Sequence, residues 1–421
     1  MNLPQEVLYC IQALEAAGFQ GYAVGGCVRD TLMGLPPHDW DVAVTTAPHD
    51  TMAICHAAGY RTIPTGLKHG TVTVILPHSG IPADRESSYD LIECTTCRTE
   101  GSYTDGRHPD AVAFTGRIED DLSRRDFTVN AMALTMDAAD SAQEGDSLTV
   151  LDLFGGQNDL KNGIIRAVGN PDTRFSEDAL RLMRGVRFGV KLGFAIEENT
   201  YAAMIRNADG LARISRERIS EEFQKILTSP EPERGVELLL QTGMMPHVLP
   251  HGISPKGTGD LSSLPAEFGV RMASLMWGME EAAIADNLAG LRLPNGVRKD
   301  ILAITRAMVL TAEPTAKCAR AWRHVLGNLA IPALSVLRAH SHADSVTAID
   351  KLSELVRISA HRNEPVSIGE LAIGGNDLIA LGFAPGRSIK ETLDALLKIV
   401  LEDPEKNTRD MLIKEALSRK D

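Results

Sequence analysis

The hydrophobic periodicity of this chain changes once and does not change back. Over the first 160 of its 421 residues, short β-type runs alternate with helical segments. Residues 21–24, 40–45, 71–76, 90–97 and 111–114 read as strands, with helices over 27–33 and 50–58. From Ser176 onward only helical spacing recurs, punctuated by Gly243, Pro246, Pro250, Pro294, Pro314, Pro332, Pro365 and Pro385. The pattern predicts an α/β head, a mixed sheet with helices, followed by an all-helical remainder. Breaks are expected near 155–171, 228–232 and Pro332, dividing the chain into 1–160, 161–228, 229–331 and 332–421. Residues 137–147 and 251–265 read as polar loops. No fixed-period repeat is present.

The head carries the residues with chemical potential. A strand ending at Val24 meets Gly25-Gly26-Cys27-Val28-Arg29-Asp30. Glycines at such a corner let backbone N–H groups approach a phosphate, and Arg29 could add a bidentate grip. The same pattern also fits a plain strand–turn–helix corner with an Arg–Asp surface pair. Next comes His38-Asp39-Trp40-Asp41-Val42-Ala43-Val44. Positions i and i+2 of a strand share a face, so Asp39 and Asp41 project together while Trp40, Val42 and Val44 face an apolar side. Paired carboxylates repel unless a cation sits between them, and Mg²⁺ suits such a pair. Solvated acids on an edge strand are the alternative. Glu93, on the 90–97 strand, is the candidate third carboxylate of a two-metal site, with Asp90 competing. Cys94 and Cys97 form a lone C-x-x-C whose two sides point to opposite strand faces, which reads as packing and not as a zinc site.

Composition bounds the rest. Lys and Arg total 43 against 56 Asp and Glu, a net charge of −13, and aromatics are only 5%. Both features speak against a non-specific nucleic-acid binder, although binding depends on a local patch. Residues 161–226 hold 12 basic and 9 acidic side chains, so the acidity lies elsewhere. Six cysteines are too few for a disulfide scaffold, which suggests a reducing cytoplasmic setting. No apolar run approaches the ~20 residues of a membrane span. Residues 1–19, with Glu6 and Glu15, read as an amphipathic helix and not as a signal peptide.

Gly25–Asp30 followed by Asp39-x-Asp41 resembles the signature of class II tRNA nucleotidyltransferases, the CCA-adding enzymes, and of their bacterial poly(A) polymerase relatives. The resemblance continues through residues 64–72, the 98–109 segment that matches the family's flexible loop, and Arg124-Arg125-Asp126-Phe127-Thr128-Val129-Asn130. It is strong over 20–227 and patchy beyond, including 374–386 and 401–408. It implies a catalytic head, a base-reading neck, a body, and a tRNA-binding tail. Asp39 and Asp41 would hold Mg²⁺, and Gly26, Arg29 and Arg125 would hold phosphates and sugar. Asp126 and Asn130 would support the sugar and the local turn.

A helix is expected over 176–188, where Asp178, Arg181, Arg184 and Arg187 recur every third residue as a drifting stripe about 13 Å long. A solvated basic face explains such a stripe. So does a base reader. Cytosine and adenine both offer an amine beside an acceptor ring nitrogen, whereas uracil and guanine offer a carbonyl beside a ring N–H. A carboxylate acceptor beside an arginine donor fits the first pair and rejects the second. The resemblance assigns that reading to Asp178 and Arg181 of Glu177-Asp178-x-x-Arg181, with Arg184 and Arg187 as nucleotide-binding or structural supports. The acids and arginines of 213–222 would stabilise helices. No adjacent His-Asp pair occurs in the helical remainder, so the phosphohydrolase domain of some relatives is not expected, and His340 and His342 read as helix-surface residues. The expected activity is addition of CCA from CTP and ATP to tRNA, without a stable protein partner. A poly(A) polymerase, a partial CC- or A-adding enzyme and an inactive RNA-binding module are the alternatives.

Overall fold

In a computed structural model, the described residues are 3–77, 89–100, 112–136, 148–257 and 259–420. Two compact units emerge, Met1–Ile226 with Glu237–Val248, and Leu227–Val236 with Leu249–Asp421.

The first unit starts with α1 (Gln5–Ala16), the amphipathic helix the sequence predicts, which buries Val7, Cys10, Ile11 and Leu14. Then follow β1 (Gly21–Val24), α2 (Gly26–Leu32), β2 (Trp40–Val44), α3 (Pro48–Ala57), β3 (Arg61–Gly66), β4 (Thr71–Pro77) and β5 (Tyr89–Thr96). A short hairpin of β6 (Arg98–Glu100) and β7 (Val112–Phe114) precedes α4 (Ile118–Ser123), β8 (Met132–Met136), β9 (Leu148–Asp152) and α5 (Gly156–Asn162). Among the described residues the main sheet has the order β3-β4-β5-β2-β1-β8-β9. It is mixed, with β2 and β5 parallel and the other neighbours antiparallel.

Strand alternation distributes the core as the sequence requires. Val42, Val44 and Cys94 join α1 in one apolar cluster, with Trp40 packed at its margin. Ala43 and Cys97 enter a second cluster with Leu122 and Ala133. The two cysteines of the C-x-x-C therefore pack in different clusters, and the Cys94 sulfur lies 3.5 Å from that of Cys10. Strands β3, β8 and β9 escape the sequence reading for physical reasons. The first is a mostly exposed edge containing Pro64, and Met132-Ala133-Leu134-Thr135-Met136 has little β-branching, so pairing with β1 and β9 makes it a strand.

The two-residue strands β10 (Ile164–Ile165) and β11 (Ala195–Ile196) pair in parallel, with α6 (Pro171–Glu177) and α7 (Leu180–Leu192) between them in the chain; α8 (Glu198–Asn207) and α9 (Arg216–Leu227) follow. The single helix expected over 176–188 is thus two. Asp178 takes an extended conformation (φ −141°, ψ 104°), and its carboxylate accepts from the Leu180 N–H at 3.0 Å. A side-chain acceptor competing for the backbone breaks one helix and starts the next.

The second unit is helical, including Phe268–Leu275, Glu281–Gly290, Asn295–Arg306, Ala316–Leu326, Ala343–His361 and Arg387–Glu402. Pro332 is no break. It sits in the first turn of the helix Ala330–Ala339, where proline's missing N–H costs nothing. His340 is not a helix-surface residue either. It follows that helix, stacks on Trp277 (centroids 5.2 Å apart) and bonds the Ser274 hydroxyl at 2.8 Å, and burial lowers its pKa. Residues 79–88, 137–147 and most of the 98–109 segment lie outside the described residues. No described helix is long and apolar enough to cross a membrane.

Candidate active site

The site begins at the β1–α2 corner. Gly25 has φ +84°, and a Cβ there would stand 2.7 Å from Arg125 Nη1 and 4.0 Å from Asp41 Oδ2. The positive φ is what favours glycine, and a side chain there would also displace the end of Arg125. Gly26, the residue assigned from the sequence, is less constrained, since a Cβ on it would meet only Arg29 Nη2 at 3.6 Å.

Antiparallel pairing sets Asp41 across from Val24, and parallel pairing sets Glu93 on the same rung of β5. Asp90 pairs with Leu76 and falls outside the β2 register. Asp39, Asp41 and Glu93 are exposed and form no ion pair among the described residues. The Asp41 side chain reaches solvent, yet crowding by the strand ends withdraws enough water to raise its pKa. Burial is the leading cause; Arg125 opposes it, the charges of Asp39 and Glu93 add to it, and the result is about 6. An all-oxygen set with surplus negative charge fits a hard divalent cation. Among the described residues no three His, Cys, Asp or Glu side chains converge into a ready-made cage. Two carboxylates completed by substrate phosphates are the usual arrangement for the smaller such cations.

Facing Asp41 is a wall of arginines. They line a cleft of about 440 Å³ that takes in Gly25, Gly26, Asp41, Asp126 and Asp178. Asp121 is 1% exposed and offers one oxygen to Arg124 (3.0 Å) and the other to Arg125 (3.1 Å). Its burial raises its pKa, but the two guanidinium groups outweigh that and hold it low. Arg125 Nη1 also donates to the Asn130 carbonyl. Arg29, expected to grip phosphate, is 4% exposed and already donates to Asp30 (2.8 Å) and to the Asn130 side chain (2.6 Å). Asn130 in turn donates to Asp126 at 3.2 Å. The other Asp126 oxygen accepts from Arg184 Nε at 2.7 Å. Burial pushes the Asp126 pKa up, and Arg184 and Asn130 bring it below the ordinary carboxylate value. Arg187 pairs with Glu222 at 2.7 Å.

Asp178 and Arg181 line the same cleft, but their side chains are not bonded to each other; only the Arg181 backbone N–H donates to the Asp178 carbonyl, at 3.0 Å. Arg218 donates to Asp178 at 2.7 Å, while Arg181 pairs with Glu177 and donates to the carbonyls of Arg174 and Arg124 at 3.0 Å each. Asp121 carries no assigned role in the sequence reading, which also names Gly25 only as a corner glycine, Glu177 only as a motif position and Arg218 only as a helix stabiliser, without the partners the structure gives them. The i,i+3 and i,i+4 spacing of Asp121 to Arg124 and Arg125 is a legible signal. Nothing local links Asp178 to a partner 40 residues away.

Comparison with known proteins fits this geometry. Residues 21–166 match the family described as the poly A polymerase head domain, 193–253 an RNA and SrmB- binding site of polymerase A, and 271–416 tRNA nucleotidyltransferase domain 2. The CCA-adding enzyme of Limosilactobacillus fermentum is 37% identical over 414 residues, covering 96% of this chain and 94% of that one. The chain belongs to the CCA-adding enzyme family. Another member, from Geobacillus stearothermophilus, is 34% identical over 419 residues, covering 97% of this chain and 95% of its own length. The crystal structure of Bacillus stearothermophilus CCA-adding enzyme in complex with CTP superposes with a TM-score of 0.77 at 33% identity, covering 100% of this chain and 99% of that one. The Thermotoga maritima CCA-adding enzyme complexed with tRNA, at 20% identity and TM-score 0.69, covers 98% of this chain and 95% of its own, and shares the fold. CCA-adding enzymes are nucleotidyltransferases, and the group generally uses a divalent metal.

Proposed function

We propose that this chain is a template-independent, cytoplasmic nucleotidyltransferase that adds C, C and A, from CTP and ATP, to the 3′ end of tRNA and releases pyrophosphate. The observation that carries this reading is one cleft bordered by Asp41, by arginines suited to phosphate, and by Asp178 with Arg181. Full-length similarity to CCA-adding enzymes supports the same substrates.

In this reading the tRNA 3′-hydroxyl loses its proton to solvent and its oxygen bonds to the α-phosphorus as the bond to the pyrophosphate oxygen breaks. Asp39 and Asp41 would hold Mg²⁺, with Glu93 on the same rung as Asp41 as the third acid. When bound, the metal supplies a Lewis acid that favours the attacking alkoxide and the leaving oxygens. Arg125 and Arg184 donate to phosphates and sugar, each aimed by its own carboxylate. Arg29 acts at one remove, by fixing Asn130. Asp178 accepts from the base's exocyclic amine, and Arg181 donates to the adjacent ring nitrogen. Uracil and guanine would set a carbonyl against the Asp178 carboxylate and a ring N–H against the Arg181 guanidinium in a partly buried cleft, which is a strong basis for rejection. The head is assigned catalysis, the neck base reading, and the body and tail the tRNA.

The test supplies tRNA ending before CCA, after C, or after CC, with each nucleotide singly and then CTP and ATP together. Addition that completes CCA and stops is the expected result. A long A-tail on any RNA would instead support a poly(A) polymerase, the description attached to the head's family. Addition confined to CC or to A would indicate a partial enzyme.

A further inference from the structure

Three guanidinium groups of the cleft surround one aromatic ring. The carbons at the heads of Arg187, Arg184 and Arg29 lie 4.2, 5.3 and 5.4 Å from the centroid of Phe188. The ring is 6% exposed and is fixed edge-on by Phe127, with centroids 5.9 Å apart and planes at 77°. Phe127 is itself fully buried, and it approaches α7 where Gly185 leaves space: a Cβ there would stand 3.2 Å from the Phe127 ring.

Each arginine is tied on one side to an acid: Arg29 to Asp30, Arg184 to Asp126, Arg187 to Glu222. Three like charges so close repel; the acids neutralise them and anchor one edge of each guanidinium, and the tilt of the plane about that edge is left to the ring. The negative face of an aromatic ring supplies that orientation. On the other side donors remain. Among the described residues, neither terminal nitrogen of Arg187 makes a hydrogen bond, nor does Arg184 Nη1, and both residues line the cleft.

We propose that Phe188 is the positioning residue of an arginine seat for the triphosphate, its ring setting the planes of Arg184 and Arg187, whose free N–H groups meet phosphate oxygens, while Arg29, already bonded to Asp30 and Asn130, only braces the ring. The identity of the anion rests on the nucleotidyl-transfer reading above; the seat itself does not. Phe188 touches no reacting atom, so its loss changes how tightly phosphate is held and not which base is chosen.

The test uses the full chain and inorganic pyrophosphate as probe, beside CTP, ATP and UTP incorporation. Phe188→Met and Phe188→Leu remove the ring while keeping an apolar side chain, and Phe188→Tyr keeps the ring. The expected result for either ring-less variant that melts normally is pyrophosphate binding weakened about tenfold and KM raised about tenfold for CTP and ATP alike. The preference for CTP over UTP should stay within about twofold, with both losses recovered in Phe188→Tyr. Wild-type pyrophosphate binding in a ring-less variant overturns the proposal. So does base preference falling in step with KM, or failure of Phe188→Tyr to recover. The unsubstituted chain gives a second readout. The ring-shifted Nε–H resonances of Arg184 and Arg187 should move together on adding pyrophosphate, and resonances that stay still overturn the proposal whatever the variants do. Pyrophosphate binding without tRNA extension would defeat the functional reading and leave the seat standing.

Discussion

The two sides of the cleft handle charge in opposite ways. On the sheet side, Asp39, Asp41 and Glu93 are exposed and lack an ion-pair partner among the described residues, and Asp41 is held near pKa 6 in part by its like-charged neighbours. On the helical side, Arg125, Arg181, Arg184, Arg187 and Arg218 each have a carboxylate within reach: Asp121, Glu177, Asp126, Glu222 and Asp178. In the proposed function a cation and substrate would complete these acids. The arginines are paired in advance, which fixes their geometry before a nucleotide arrives. In the proposed function, chemistry falls to the unsatisfied charges and recognition to the satisfied ones.

Substitutions on the unsatisfied side should have the largest effect on rate. Asp41→Asn should lower incorporation of CTP and ATP about a thousandfold or more with no loss of stability, since no ion pair is broken and a carboxylate whose ionisation weakens folding is removed. Single-turnover kinetics beside a urea melt check both halves; a large stability loss would break the contrast. Gly25→Ala follows. It places a methyl group 2.7 Å from Arg125 Nη1 at a residue with φ +84°, and should cost about a hundredfold in kcat/KM. Gly26→Ala should stay within about threefold; equal losses would contradict the assignment of Gly25 as the constrained position.

The satisfied side should answer mainly through stability. Asp126→Asn removes the partner of Arg184, and because that arginine is about one-third exposed the discounted loss is about 2 kcal/mol. The Asp126 pKa is depressed in the folded chain, so its contribution is present above the unfolded value near 4 and fades as pH falls through the folded value. Urea melts at pH 7 and pH 3 should show the variant's deficit shrinking at the lower pH. The smallest effect concerns Asp41. Its raised pKa means the folded chain holds this proton more tightly, so its ionisation weakens folding as pH rises from about 4 to about 6. Without metal its carboxylate should titrate near 6 by NMR. Asp39→Asn should move that midpoint down by removing a like charge, and added Mg²⁺ should move it further down.

What the sequence discloses follows the range of the interactions involved. Asp39 and Asp41 are legible because strand alternation is local and their neighbours Trp40, Val42 and Val44 are apolar. The α/β head and helical remainder are legible from periodicity. By contrast, the helix break at Asp178 depends on its carboxylate accepting from Leu180, and its partner Arg218 comes from another helix. Arg29 reads as a phosphate ligand, but the fold spends it on Asn130, 101 residues away. Met132–Met136 becomes a strand only beside β1 and β9. Spacing shows which residue types are present; it does not show which charges have already been paired.

The central claim is that the paired side reads the base while the unpaired side performs the transfer. The direct measurement is the ratio of CTP to UTP incorporation on tRNA lacking CCA, for Asp178→Ala and Asp41→Asn beside the wild type. Asp178→Ala should retain measurable transfer with the ratio lowered at least about tenfold, while Asp41→Asn should lose transfer of both nucleotides without admitting UTP. An Asp178→Ala enzyme that still rejects UTP as the wild type does would contradict the account.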